Sequence, residues 1–316
     1  MRARNWLLLA IGSTAAIGSL AIAVNLALDP WGLYHAPRSR KLPVYGDGRV
    51  GKYLLNTRYV GANFNGILIG SSMTANWNMG LLRQARIYNE SLDAGTVLEE
   101  KTLVEQVLQR PGIEVAFLVQ DPYFTHESAF RTVTLTPQLW RASLGSDNLL
   151  NVYKDMARER LGKPATSIGA NGAERFDHLP SKLNATLQQL WQPGTAFAVD
   201  PAAYTAYREL VDMLRAHHVQ IVFLMPPVFE GILEPKQAEH QDYVRRFAAF
   251  RQPGDLVIDF NTSDFQDFRS RRENFFDGIH LVSGAADQIV MLLSRQVDSW
   301  LAEGRLHFSP EEGPAR

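Results

Sequence analysis

Gly66-Ile67-Leu68-Ile69-Gly70-Ser71-Ser72-Met73-Thr74 (GILIGSSMT) is the stretch on which the fold turns. A short run without polar side chains, ending in glycine, reads as a strand buried on both faces. The hydroxyl residues that follow read as a tight turn opening a helix, because Ser and Thr oxygens satisfy the first unpaired backbone N–H groups.

Working outward, the same alternation repeats. ARIYN (85–89), VAFLV (115–119), VQIVFLM (219–225) and LVIDF (256–260) are further strand candidates. Between them, Val97–Gln109, Ala203–His217, Glu239–Phe250 and Ser283–Leu301 carry helical spacing of apolar residues, the first stopped by Pro111-Gly112. Strands that are continuously apolar and separated by helices predict a parallel sheet covered on both faces, a three-layer α/β/α sandwich. The stretch 125–195 breaks this rhythm and reads as an insertion over one end of the sheet, where a substrate cover or partner surface would sit. The tail 305–316 reads as flexible.

The N-terminal residues set the compartment. Trp6–Leu28 is 23 residues without a charge, preceded by Arg2 and Arg4. At about 1.5 Å per residue such a helix crosses a hydrocarbon layer of about 30 Å. The arginines favour a cytoplasmic N-terminus, so the remainder is expected outside the inner membrane on a single-pass anchor, residues 1–28. The run exceeds the roughly 7–15 residue core of a cleaved signal peptide, and no clean A-x-A site ends it. A cleaved signal or a buried core helix are the other readings. Residues 29–59, rich in Pro, Gly and basic side chains, read as a membrane-proximal linker with Trp31 and Tyr34 at the interface, and 60–304 as the folded domain.

Composition removes several classes of function. With 32 basic and 33 acidic residues the chain lacks the positive excess that nucleic-acid binding requires. Its lack of cysteine excludes a thiol nucleophile, thiolate zinc sites and Cys-ligated clusters. No H-E-x-x-H or other ligand-spaced cluster suggests a metal, and no cofactor motif is present. His217-His218 reads as a solvated helix end.

In a doubly wound sheet chemistry gathers at the C-terminal ends of the strands. There the chain places Ser71 and Ser72, then Asn89–Thr96, then Gln120-Asp121, and last Asp277-Gly278-Ile279-His280. Each has a plain structural reading as a helix cap, a polar turn, a turn before proline or an Asp-Gly turn. Together they give the order Ser…Asp…His. A carboxylate three residues from a histidine can accept from one ring nitrogen and leave the other to act on a hydroxyl.

In these blocks the chain resembles the SGNH or GDSL hydrolase superfamily, whose fold is flavodoxin-like. Gly70-Ser71-Ser72-Met73 is similar to the first block with Ser71 in the aspartate position, and Asp277-Gly278-Ile279-His280 matches the last. The resemblance implies Ser72 as nucleophile with His280 and Asp277 completing a triad. It implies an oxyanion hole from Ser72, a second N–H at Ala94 or Gly95, and Gln120 where the family has asparagine. Ser71 and Asp121 are candidate substrate contacts. The anchor and linker are similar to those of membrane-anchored proteins that modify bacterial surface polysaccharides, including the D-alanylation and alginate O-acetylation types. This implies acyl esters of a polysaccharide as substrate, by hydrolysis or transfer, with a membrane-bound acyltransferase as partner. A non-catalytic scaffold in such a complex is the competing class.

Overall fold

The computed structural model describes residues 2–35, 41–122, 124–125, 134–163, 168–175 and 197–308. Five parallel strands, β1 (Gly66–Ile69), β2 (Ile87–Asn89), β3 (Val115–Val119), β4 (Gln220–Met225) and β5 (Leu256–Asp259), form one sheet in the order β2-β1-β3-β4-β5. This is the flavodoxin-like doubly wound order, whose switch point lies between β1 and β3. The register Leu68↔Asn89 and Leu68↔Phe117 sets the ends of the three strands nearest the serines side by side.

Alternation along each strand feeds two cores. Ile67, Ile69, Ala116, Leu118, Ile221 and Phe223 face one side, under the helices Gly48–Asn56, Val97–Val107, Pro201–Ala216 and Gln237–Ala248. Leu68, Phe117, Val119, Val222, Leu224 and Ile258 face the other, packed on the Ser283–Ala302 helix. Both faces are apolar because both are covered, which is why the strands show no polar alternation. The Val97–Val107 helix begins with a capping box, Thr96 with Glu99.

The first helix, Arg2–Leu28, exposes Trp6, Leu9, Ile17 and Leu20 along its length, and its stretch Ala3–Leu28 is long and apolar enough to cross a membrane. Its last turn docks on the insertion, where Asn25 Nδ2 donates to Leu144 O at 2.7 Å.

Residues 29–59 depart from a linker. The Asp29 carboxylate accepts from the N–H groups of Leu33, Tyr34 and His35, folding the chain back so that Trp31 is only 1% exposed within the core. Tyr34 pairs its hydroxyl with Ser143 at 2.6 Å. Leu42, Val44, Tyr53 and Leu54 are buried too, so this segment is a wall of the domain and Trp31 serves its packing.

Of the 125–195 insertion, the structure shows the Asp147–Arg160 helix and a 168–175 loop that bridges to Val44. Most of its remainder, like residues 309–316, lies outside the described residues. The tail starts packed, with Leu306 buried and its N–H donating to Trp300 O.

Candidate active site

Gly70 ends β1 with no room for a side chain: a Cβ would meet Thr74 Oγ1 at 2.6 Å and Val119 Cγ2 at 2.7 Å. The chain therefore turns tightly into the short helix Ser72–Ala75 at the switch point. Ser71 caps it, its oxygen accepting from Met73 N at 3.2 Å and its hydroxyl donating to Asp121 Oδ2 at 2.8 Å. Asp121 also takes Phe124 N at 2.8 Å. Both residues are essentially inaccessible, Ser71 at 0% and Asp121 at 1% exposure, so they brace the turn. The expectation that they contact substrate is corrected accordingly.

Ser72 comes next, at the first helical position, with its N–H among those a helix start leaves unbonded. Its Oγ lies 2.7 Å from His280 Nε2, and His280 Nδ1 lies 2.7 Å from Asp277 Oδ2. Gly278, at φ +96°, lets the loop curl so that Asp277 Oδ1 also accepts from the N–H groups of Ile279 (3.2 Å) and His280 (2.9 Å). Burial alone would raise the Asp277 carboxyl, but the His280 ring and these two N–H groups hold it below the usual carboxylate range. An anionic Asp277 fixes Nδ1 as the protonated nitrogen and leaves Nε2 to accept from the serine.

The surroundings of the expected oxyanion hole divide differently from the sequence expectation. Gly95 donates its N–H to Leu92 O at 3.0 Å, which commits it to the turn. Ala94, at φ +47°, is exposed in that turn together with Asp93. Gln120 is corrected outright. Its Oε1 accepts from Arg251 Nη2 at 2.9 Å, and the Tyr207 hydroxyl feels its amide, so the side chain is turned into the helical layer. With one more methylene than asparagine it reaches a half-buried guanidinium on that side.

The sequence alone did not single out two residues that shape this site. Asn89, at the end of β2, donates to the carbonyls of Thr74 (2.8 Å), Ala75 (3.2 Å) and Trp77 (3.0 Å), satisfying the C-terminal end of the Ser72–Ala75 helix. Lys52, fully buried, donates to Ser91 O at 2.6 Å, while Ser91 Oγ pairs with Thr74 Oγ1 at 2.8 Å. Its signal was present as one charge inside the otherwise apolar stretch Val50–Leu55. Among the described residues no cluster of three or more His, Cys, Asp or Glu could hold a metal ion.

No family model and no curated protein matches the chain. Among solved structures it is similar to a candidate platelet activating factor from Streptococcus pneumonia, with 13% identity, 80% of this chain and 91% of that one covered, and a TM-score of 0.41. It is also similar to the inhibitor-bound aryl esterase of M. smegmatis, with 13% identity, 74% and 97% coverage, and a TM-score of 0.32. What the site can do rests on its own geometry.

Proposed function

We propose that this chain is a serine esterase or O-acyltransferase of the SGNH type, held by its first helix on the outer side of the inner membrane and acting on acyl esters of a polysaccharide. The observation that carries the chemistry is the unbroken line Ser72 Oγ–His280 Nε2, His280 Nδ1–Asp277 Oδ2, at 2.7 Å each. Three residues of these types in this order have one common use, which is to make a hydroxyl nucleophilic.

Ser72 Oγ attacks the acyl carbon as His280 Nε2 takes its proton, and Asp277 stabilises the resulting imidazolium. The carbonyl oxygen becomes an anion beside the Ser72 and Ala94 N–H groups. Nε2 returns the proton to the departing alcohol, leaving an acyl-serine. Water or a second hydroxyl then gives its proton to Nε2 and takes the acyl group as the acyl–Oγ bond breaks. Nε2 returns the proton to Ser72, so hydrolysis and transfer differ only in the acceptor. Losing one oxyanion donor costs about 2.7–4 kcal/mol of transition-state stabilisation. The inward-turned Gln120 is thus the observation that favours the second reading, a scaffold of low activity.

Labelling the full chain in detergent with a fluorophosphonate tests the proposal. The adduct should map to Ser72 and vanish in Ser72→Ala, with aryl acetate turnover lost in parallel. A folded protein that is neither labelled nor active, yet retains polysaccharide, hands the case to the scaffold. A reporter fused at the C-terminus should work only if it functions outside the cytoplasm.

A further inference from the structure

Beside the triad, one cleft holds a polar group that ester cleavage itself leaves unused. Asn76 caps the end of the Ser72–Ala75 helix, one turn beyond the nucleophile. It is 3% exposed, and its Nδ2 donates to Leu281 O at 2.6 Å, next to His280. Its Oδ1 is buried and, among the described residues, has no donor to accept from. Stranding such an acceptor costs about 1–3 kcal/mol, a deficit that a ligand hydrogen would remove.

Asn76 lies on the wall of a cleft of about 380 Å3, at the small end of the roughly 300–1,000 Å3 of ligand sites. One wall is the nucleophile helix end, another the start of the Ser283–Ala302 helix, and the third the 168–175 loop of the insertion. That loop is pinned rather than draped. Asn89 N donates to Asn171 O at 2.8 Å, Glu174 N to Ala75 O at 2.8 Å, and Asn171 Nδ2 to Asn78 Oδ1 at 2.7 Å. Burial pushes upward the Glu174 carboxyl that the loop holds, with Lys52 pulling the other way and Asp93 adding to the rise.

The lining sets amides, hydroxyls and carboxyls, including Asn78, Asn171, Glu174 and Ser283, among apolar surface from Pro43 and Ile168. Hydroxyl groups, which both donate and accept, match such interleaved partners.

We propose that this cleft is the alcohol-side subsite of the Ser72 centre, taking one sugar ring with hydroxyls donating to Asn76 Oδ1 and to the Glu174 carboxyl. The proposal rests on the ester-transfer reading and assigns the insertion loop its part in it. In transfer, a ring hydroxyl held here loses its proton to His280 Nε2 as its oxygen bonds the acyl carbon. The Ser72 Oγ–acyl bond breaks, and Nε2 returns the proton to Ser72.

The test uses the full chain in detergent, with cellotetraose and its O-acetylated form as probes. Cellotetraose should bind the Ser72→Ala protein saturably and slow hydrogen exchange across 168–175. Glu174→Gln should weaken that binding about tenfold, the scale of one charge-assisted hydrogen bond. It should lower by a similar factor the ratio of kcat/KM on acetylated cellotetraose to that on p-nitrophenyl acetate. A ratio within twofold of the parent, with both esters turned over, overturns the subsite. So does binding that leaves the loop's exchange unchanged, or no saturable binding. Binding and loop protection without turnover of any ester would keep the subsite and remove the ester-transfer reading instead.

Discussion

The Ser72–His280–Asp277 line and the buried group of Lys52, Glu90 and Glu100 are linked through Ser91 and Thr74, yet they handle polarity in opposite ways. In the first, Asp277 accepts three hydrogen bonds and each nitrogen of His280 has a partner. In the second, Lys52, Glu90 and Glu100 are all 0% exposed, and no carboxyl oxygen of Glu90 or Glu100 has a partner of normal geometry, although Asn56 and the Leu92 backbone lie close. Burial pushes the Glu90 carboxyl up to about 8, Lys52 pulling the other way, and lifts Glu100 well above the usual range. Burial likewise lowers Lys52. Burial thus holds both carboxyls toward their neutral forms. The triad is ordered by direct bonds near the surface, whereas the second group is ordered by exclusion of water. It reaches the Ser72–Ala75 helix through Ser91, which bonds Lys52 and Thr74.

Four measurements can break or sharpen this contrast. The largest effect belongs to the triad: His280→Ala should lower kcat at least about 10³-fold, and adding Ser72→Ala should cost little more, because the residues act as one unit. Additive losses would separate them.

Lys52→Met comes next. It strips the buried carboxyls of their one cation and should lower unfolding stability by about 3 kcal/mol in denaturant titrations. The double variant Lys52→Met/Glu90→Leu should regain a substantial part of that loss. No recovery would mean that Lys52 contributes mainly by packing and by its bond to Ser91.

Ser71→Ala removes a helix cap and the donor to Asp121, which should cost about 1–2 kcal/mol of stability with less than about a tenfold loss of activity. A loss as large as that of Ser72→Ala would make Ser71 part of the chemistry.

The smallest effect is a slope. A Glu90 that titrates near 8 when folded and near 4.5 when unfolded keeps its proton in the native state while the unfolded chain has released it. Its contribution is therefore fully present below about 4.5 and is lost as pH rises through about 8. Glu90→Gln should flatten the fall of Tm with pH across that window. An unchanged slope would show that the proton sits elsewhere in the cluster.

Reading from the sequence succeeded where the cause is local. The β1, β3 and β4 runs identify themselves because a strand covered on both faces must be apolar throughout, and all five expected strands form. The Gly70-Ser71-Ser72 turn and the Asp277–His280 spacing were equally readable, since a tight turn and a three-residue reach are properties of short segments. Trp31 misled because an aromatic residue after an apolar helix suits a membrane interface and a protein core alike, and only the Asp29 turn carries it inward.

Long-range partners decided the rest. Gln120 lies in a motif position, but Arg251, far along the chain, draws its amide into the helical layer. Gly95 or Ala94 could not be chosen until the turn took Gly95's N–H for Leu92. Asn89 becomes a clamp only once β2 lies beside β1 and the helix after it. Lys52 shows in sequence only as a misplaced charge, because its carboxyl neighbours come from other elements. The sequence by itself determined which residues are apolar enough to make the sheet and which side chains could do chemistry. The tertiary structure alone decided where each polar atom finds its partner, because a hydrogen bond depends on about an ångström of placement that no local pattern encodes.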